Sequence, residues 1–120
     1  MAQVKIGHVK LDSPVLLAPM AGITDLPFRL LCREIGGVGL AGSELLNSRA
    51  IVLGIPAVRE KAKLHPDDRP LSVQVYGNVE DPLPQAGAWA VTQGATVIDI
   101  NMGCPVDKVC KKNGGSLLLK

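Results

Sequence analysis

Short apolar runs alternate with helix-like stretches along most of this chain, and this alternation constrains the fold more than any other feature. Four runs have the length and composition of buried strands, at residues 15–18, 38–43, 71–76 and 97–100. Each run ends in a turn rich in glycine, proline or polar residues, and a segment of helical character follows. Strands that alternate with helices predict a parallel sheet, because each helix returns the chain to the same end of the sheet.

A pair of short strands around Gly7 and His8 precedes these units and predicts a hairpin. In a parallel (β/α)8 TIM barrel, the turns that follow the strands all meet at one face, where the site lies. A complete barrel needs about 250 residues, whereas this chain has 120. We therefore predict an α/β fold with an N-terminal hairpin and half of a (β/α)8 barrel, comprising the first four or so β/α units.

The composition is typical of a globular domain and argues against a disulfide-rich, metal-binding or membrane-spanning protein. Hydrophobic residues make up 47% of the chain and charged residues 20%. The net charge of +2 is too small to predict nucleic-acid binding by itself. The three cysteines (Cys32, Cys104 and Cys110) are irregularly spaced, so neither a disulfide framework nor a metal site is expected. The N-terminus lacks a signal sequence and no apolar stretch has membrane-spanning length, which predicts a cytoplasmic protein.

Periodicity also predicts which residues of the first helix are buried. Thr24 is positioned to cap this helix, and Gly36 with Gly37 to end it. Four side chains recur at helical spacing and are expected to face the core: Phe28, Leu31, Cys32 and Ile35. The strands at 15–18 and 97–100 are expected to be buried, the first of them on both faces.

The strand at 97–100 leads directly into a turn that carries a thiol. Asp99 and Asn101 share one parity of the strand, and residues 102–105 (Met-Gly-Cys-Pro) then break the extended backbone. Polar side chains so near a buried strand need partners, which a ligand can supply. This pattern predicts either a reactive Cys104 at the edge of the sheet or a small cysteine in a core strand. Spacing alone does not separate the two.

Three segments in register resemble the tRNA-dihydrouridine synthases. They are Leu17-Ala-Pro-Met-Ala-Gly-Ile-Thr-Asp25 with Pro27-Phe28-Arg29, Ser72-Val-Gln-Val-Tyr-Gly77, and Asp99-Ile-Asn-Met-Gly-Cys-Pro105. Their order and spacing match the family from about Ile6 to the end of the chain. The resemblance implies an oxidoreductase that reduces uridine in tRNA to 5,6-dihydrouridine with FMN, taking electrons from NADPH or NADH.

The resemblance also implies roles for individual residues. Cys104 would be the general acid, which protonates C5 of the uracil on the side opposite the flavin. Asn101 would lie where the flavin and the target uracil meet, and Gln74 would hydrogen-bond the flavin ring. The positions that would lie against the isoalloxazine and offer main-chain hydrogen bonds are Pro19, Met20 and Ala21. Three basic residues beyond the thiol could contact RNA phosphates or could form a solvated helix entry: Lys108, Lys111 and Lys112.

The family pattern further implies that residues 1–120 are the N-terminal half of an FMN-binding TIM-barrel catalytic domain. The remainder of the barrel, with its further flavin contacts, and a helical RNA-binding domain would then be absent from this chain. We therefore expect the isolated 120-residue chain to be inactive and to bind FMN weakly or not at all. The full-length protein is expected to be a monomer whose partner is tRNA, with no metal and no membrane.

Two other functions fit part of the pattern. Another flavin-dependent barrel oxidoreductase, such as a dihydroorotate dehydrogenase, would share the fold and the pyrimidine chemistry. The Asn-Met-Gly-Cys-Pro turn at 101–105 and the Ala-Pro-Met-Ala-Gly segment at 18–22 argue against that function. A truncated, non-catalytic half-barrel is the other alternative. It would expose two strand edges and an apolar inner face, both of which favour aggregation.

Overall fold

The computed structural model describes residues 3–120, and its main feature is a parallel sheet flanked by helices. The strands are Lys5–Ile6 (β1), Val9–Lys10 (β2), Leu16–Leu17 (β3), Leu40–Gly42 (β4), Leu46–Asn47 (β5), Leu71–Tyr76 (β6) and Val97–Ile100 (β7). The α-helices are Leu26–Ile35 (α1), Ser48–Val52 (α2), Pro56–Arg59 (α3), Leu83–Thr92 (α4) and Asp107–Cys110 (α5). Short 3₁₀ turns cover Glu60–Ala62 and Gly115–Leu119.

Sheet topology follows the order expected for the first part of a barrel. β1 and β2 form the predicted antiparallel hairpin. β3 pairs with β4, β4 with β6, and β6 with β7, always in parallel. β5 continues on the β4 side of β6, where it also runs parallel. The predicted α/β half-barrel of successive β/α units is therefore confirmed, with one short strand, β5, that the sequence pattern did not indicate.

The core lies between β6 and the helices that cover it. Leu71, Val73 and Val75 alternate along β6 and are each at most 1% exposed. They pack with Ile51 from α2 and, from α4, with Ala86 and Ala90. Strict alternation places Ser72 and Gln74 on the opposite face of β6. This strand thus separates an apolar core from a more polar surface on the inner side of the half-barrel.

The two outer strands differ from the sequence prediction, which was wrong about their burial. Leu16 in β3 is 51% exposed, and Ile100 in β7 is 45% exposed. Within the described residues each of these strands pairs on one side only, β3 with β4 and β7 with β6. Edge strands with one neighbour keep part of their apolar surface in contact with solvent, whereas the apolar composition of both strands had indicated burial.

Helix α1 is also packed differently from the prediction. Its N-cap is Asp25, whose carboxylate accepts the N–H of Phe28 at 3.0 Å, and not Thr24. Gly36, with φ of 97°, ends the helix as predicted. Leu31 is exposed, as is Ile35 at 78%, while Phe28 and Cys32 are half-buried. The residue on the fully buried face is Arg29, which pairs with the carboxylate of the distant Asp68.

Glycines in β4 and just before it allow the neighbouring chain to pack closely against this strand. A Cβ on Gly39 would overlap the Ser13 carbonyl oxygen, and one on Gly42 would lie 2.7 Å from Pro19 Cγ. Only glycine fits such approaches without displacing the neighbouring chain. Within residues 3–120, the longest helices have ten residues, and none has the length and apolarity needed to cross a lipid bilayer.

Candidate active site

The candidate site lies where the parallel strands end. β3, β4, β6 and β7 run in the same direction, so the loops that follow them emerge at the same end of the sheet. These loops contain residues 19–22, Ser43 with Glu44, Gly77 with Asn78, and residues 102–105. All the site residues predicted from the sequence belong to this edge of the sheet or to the strand ends that lead to it.

Gln74, Asp99 and Asn101 form one hydrogen-bonded series. Gln74 and Asp99 are register partners on β6 and β7, which places the two side chains next to each other. Gln74 Nε2 donates to Asp99 Oδ2 at 2.6 Å, and Asn101 Nδ2 donates to Gln74 Oε1 at 3.3 Å. The structure thus brings two of the predicted residues into contact. It also adds Asp99, for which the sequence had indicated only a need for a partner.

The series continues into the turn that carries Cys104. Asn101 Oδ1 accepts the backbone N–H of Cys104 at 3.0 Å and that of Gly103 at 3.3 Å. The Cys104 carbonyl oxygen accepts the N–H of Ser116 at 3.0 Å and the thiol of Cys110 at 3.3 Å. Both backbone groups of Cys104 are therefore held by the surrounding chain. Cys104 itself is half-buried.

Cys110, read from the sequence as a core or surface thiol, has a specific contact in this turn. Its sulfur lies against the Cys104 carbonyl oxygen and 3.5 Å from Ser116 Oγ. The neighbouring Gly115 has φ of 57°, and a Cβ there would overlap the same carbonyl oxygen. The segment after α5 therefore folds back onto the Cys104 turn and supports it from the C-terminal side.

Residues 19–22 form a second loop at this edge. Thr24 Oγ1 accepts the Met20 N–H at 3.0 Å and donates to the Met20 carbonyl at 3.2 Å. Glu44, which is 5% exposed, accepts the Gly22 N–H at 2.6 Å. Since Met20 N–H is engaged by Thr24, the main-chain donor of residues 19–21 without a hydrogen bond to the described chain is that of Ala21.

A buried cluster of charged side chains fixes the chain at Thr24, just after this loop. Arg29 donates to the Thr24 carbonyl at 2.7 Å and to Asp68 Oδ2 at 2.7 Å. Arg33, one turn later on α1, donates to Asp68 Oδ1 at 2.8 Å. The side chains of Arg29 and Asp68 are both 0% exposed. This pairing selects the buried face of α1, because an arginine and a carboxylate can be buried together when each is paired.

A cavity of about 260 Å³ connects the first and last strands of the half-barrel. Its walls are formed by residues of all four strand positions: Leu16, Leu17, Ala18, Pro19, Leu40, Gly42, Ser72 and Asp99. Pro19 from the first loop and Asp99 from the hydrogen-bonded series therefore line the same space. Most of the wall is apolar, with the Asp99 carboxylate and the Ser72 hydroxyl as its polar side-chain groups.

A second cavity, of about 290 Å³, is lined by polar residues and lies beside the chain that follows α5. Arg49, Asn78, Asp81 and Lys112 are among its lining residues. The Asn78 N–H donates to the Asp81 carboxylate at 2.9 Å, and together with the nearby Arg49 guanidinium it lowers the pKa of Asp81 below its usual value. Of the three lysines named above, Lys112 lines this cavity and the others are exposed on α5 and just after it.

Sequence reasoning did not identify how four residues hold these loops: Thr24, which it interpreted as a helix cap, and Arg29, Glu44 and Asp68. Thr24 and Arg29 lie inside the first family motif, and Glu44 lies at a strand end. The sequence does not show which groups these side chains bind. Asp68 stands in a polar turn (65–70) that gave no functional signal. In the part of the chain that the structure describes, no group of three or more His, Cys, Asp or Glu side chains could hold a metal ion.

Comparison with known proteins identifies the family of this chain. The model of the Dihydrouridine synthase (Dus) family matches residues 16–120. The tRNA-dihydrouridine synthase B of Pseudomonas aeruginosa is 43% identical over 120 residues, which are 100% of this chain and 36% of that protein. The tRNA-dihydrouridine synthase B of Yersinia pestis is 44% identical over 117 residues, and the probable tRNA-dihydrouridine synthase 1 of Synechocystis sp. is 40% identical over 118 residues. These cover 97% of this chain but 36% and 32% of the relatives, so the chain spans about a third of the length of the curated relatives it matches. With the half-barrel fold and the cysteine turn at its strand ends, these matches show that the chain belongs to the dihydrouridine synthase family.

Proposed function

We propose that the complete polypeptide containing this chain reduces uridine in tRNA to 5,6-dihydrouridine. The names of its relatives support this activity. The observation that carries the proposal is the continuous hydrogen-bonded series from Asp99 through Gln74 and Asn101 to the backbone of Cys104. This series fixes the backbone of the half-buried Cys104 next to the inner face of the half-barrel, which suits a thiol that protonates a base held over a cofactor.

Residues 1–120 would form the first half of the catalytic barrel. Two features support this domain assignment: the chain spans about a third of the length of its relatives, and β3 and β7 each have one strand neighbour within residues 3–120. The second half of the barrel and a helical RNA-binding domain would be supplied by further residues. The electron donor would be NADPH or NADH.

The inner side of the half-barrel fits one part of a flavin. FMN has a flat ring system with carbonyl oxygens and ring nitrogens along its edge, so it needs an apolar wall and a few placed polar groups. The 260 Å³ cavity has such a wall, and Pro19 lies against Gly42 in it. Gln74 and Asn101 each use one amide hydrogen within the chain, which leaves a second hydrogen on each amide for a ligand. The Ala21 N–H is a further available donor.

Cys104 would hold the proton that the uracil gains at C5. When bound, FMN supplies the hydride that adds to C6 of the base. Negative charge then develops at C5 and O4, and the thiol donates its proton to C5 from the opposite side. General-acid catalysis of this kind contributes about 10²–10⁴-fold. Asn101 holds the Cys104 N–H and also lies beside Gln74, so it would keep the acid at a fixed distance from the cofactor side of the site.

The target base must leave its stack in the RNA before it can enter such a site. Basic side chains next to the Cys104 turn would hold the neighbouring phosphates while the base is extruded. Lys112 and Arg49 line the polar cavity beside the end of α5, and Lys108 and Lys111 are exposed on α5 and just after it. Phosphate contacts of this kind position the RNA without reading its sequence.

Replacing the thiol tests the proposal directly. In the complete polypeptide, Cys104→Ala should lower dihydrouridine formation in tRNA by about 10²-fold or more, because the proton donor is lost. Bound flavin should still be reduced by NADPH, since the thiol is not needed for that half-reaction. Dihydrouridine in tRNA digests and the bleaching of flavin absorbance measure the two steps.

Cys110→Ala is the matched control, and it should retain most of the activity. The Cys104 carbonyl still accepts the Ser116 N–H in that variant, so the turn keeps its stronger support. Full activity of Cys104→Ala would contradict the assignment of the acid. Oxidation of dihydroorotate by the parent protein, without reduction of tRNA, would instead favour the dihydroorotate dehydrogenase alternative.

A further inference from the structure

We propose that Asp99 is a positioning residue, whose carboxylate fixes the direction of the hydrogen bonds that run through Gln74 and Asn101 to the Cys104 turn. Asp99 takes no direct part in the proposed proton transfer from Cys104. Its consequence for uridine reduction rests on the function proposed above, whereas the direction of the hydrogen bonds does not.

The two ends of the series have opposite and fixed character. At one end, an ionised carboxylate can only accept hydrogen bonds, and Asp99 Oδ2 accepts from Gln74 Nε2 at 2.6 Å. At the other end, backbone N–H groups can only donate, and those of Cys104 and Gly103 donate to Asn101 Oδ1. Between the ends lie two amide side chains, each of which carries both a donor and an acceptor.

Only one orientation of the two amides satisfies both ends. With Nε2 of Gln74 turned to Asp99, its Oε1 faces Asn101 and must receive a donor, which Asn101 Nδ2 supplies at 3.3 Å. Asn101 then has its oxygen left for the Cys104 turn. Rotating either amide by 180° would place two acceptors or two donors in contact. Asp99 therefore prevents a reversed arrangement in which Asn101 would offer an N–H to the N–H of Cys104.

This arrangement explains why a carboxylate occurs on the inner face of β7. The bond at 2.6 Å is the shortest of the series and is charge-assisted, so it is also the strongest. It holds Gln74 with its second amide hydrogen available, and through Asn101 it holds the backbone of Cys104 while leaving the thiol unconstrained. One inner-face anion thus orients the proposed cofactor contact and the proposed acid together.

The test compares three variants of the complete polypeptide by hydrogen exchange of the peptide that contains residues 101–106. Asp99→Asn replaces the acceptor-only group by an amide that permits either direction. Asp99→Asn combined with Gln74→Glu moves the carboxylate one step along the series. The new amide at position 99 can donate to the new carboxylate at position 74, which still accepts from Asn101. Asp107→Asn is the matched control, because it removes a charge from the exposed start of α5 next to the same turn.

In Asp99→Asn, exchange at Gly103 and Cys104 should be about three- to tenfold faster, as expected for a weakened hydrogen bond. Peptides of α4 should exchange at the parent rate, and Asp107→Asn should be unchanged throughout. The double variant should return to within about twofold of the parent, since the direction is restored. Unchanged exchange in Asp99→Asn would overturn the proposal, as would exchange in the double variant that stays as fast as in Asp99→Asn. Where Asp99→Asn loosens the whole protein, restored protection in the double variant supports the proposal and its absence refutes it.

Kinetics separate this inference from the proposed function. If the protein reduces tRNA, Asp99→Asn should lower kcat and leave the KM for tRNA within about twofold, because the acid and not the RNA contact is misplaced. A rise in KM with unchanged kcat would contradict a positioning role. If the parent protein forms no dihydrouridine, the proposed function fails, and the exchange data still decide whether Asp99 sets the direction of the series.

Discussion

The loop at 19–22 and the turn at 102–105 follow strands of the same sheet, but the chain holds them in different ways. The first loop is fixed by charged groups that are fully or nearly buried, namely Arg29, Asp68 and Glu44. The second is fixed by amide side chains and a thiol that are only half-buried. Charges buried in this way make few alternative contacts, whereas half-buried amides keep donors and acceptors available for a ligand.

The difference indicates a division of roles at this edge of the sheet. The first loop offers few free main-chain groups to a ligand, because most of them are hydrogen-bonded to Thr24 and Glu44. The second carries the side chains with unused hydrogen-bonding capacity, next to the proposed acid. Substitutions of the charged residues that hold the first loop should therefore lower the free energy of unfolding. Substitutions in the second turn should instead change ligand binding or catalysis at the site.

Removing Arg29 should give the largest effect on stability. Arg29→Met leaves the Asp68 carboxylate buried with Arg33 as its remaining partner and removes the donor to the Thr24 carbonyl. Breaking a buried pair on one side costs about 3–5 kcal/mol in the free energy of unfolding. Urea denaturation of the complete polypeptide measures it.

The control for Arg29 is Arg49→Met, which removes an arginine–aspartate pair of similar length. Arg49 lies 2.6 Å from Asp81 but is 63% exposed, so its loss should cost at most about 1 kcal/mol. Equal losses for the two variants would show that burial does not distinguish the two pairs, and that buried charge is not what fixes the first loop.

Glu44→Ala should have an intermediate effect, concentrated in the first loop. The Gly22 N–H loses a carboxylate acceptor at 2.6 Å, which corresponds to about 1–3 kcal/mol. Amide exchange of residues 20–24 should become faster, while that of residues 101–106 should not change. Glu80→Ala, at an exposed position, is the control and should alter neither segment. Faster exchange at 101–106 would mean that the two loops are energetically coupled and open as one unit.

The smallest effect is expected from pH, at the polar cavity that contains Asp81. The Asn78 N–H and the Arg49 guanidinium lower the pKa of Asp81. Its contribution to stability is therefore present above the unfolded-state pKa of about 4 and is lost as the pH falls through the folded-state value. The difference in unfolding free energy between the parent and Asp81→Asn should be below about 1 kcal/mol at pH 7 and should shrink towards pH 3.

Asp12→Asn at an exposed position is the control for this measurement. A difference between the parent and Asp81→Asn that stays constant from pH 7 to pH 3 would contradict the role of the ionised Asp81 carboxylate.

The order of helices and strands follows from the amino-acid sequence alone, because that order depends on local signals. The alternation of apolar runs with helical segments predicted the hairpin, the parallel strands and the half-barrel. Gly36 ended α1 and Gly94 followed α4, as expected for residues that adopt positive φ. The parity of Asp99 and Asn101 on the strand also indicated that their side chains lie on one face. Each of these features requires only neighbouring residues.

The side-chain pairs, in contrast, depend on packing, because their members lie far apart in the chain. Periodicity placed Leu31 and Ile35 on the inner face of α1, but Arg29 is buried there because Asp68, 39 residues away, pairs with it. Thr24 binds Met20 and does not cap the helix, and Asp99 meets Gln74 only because β6 and β7 align in one particular register. Burial of an ionic or amide group has a large free-energy cost unless its partner is present. Such pairs therefore follow from the packing of the whole fold, and the local pattern of residues does not specify them.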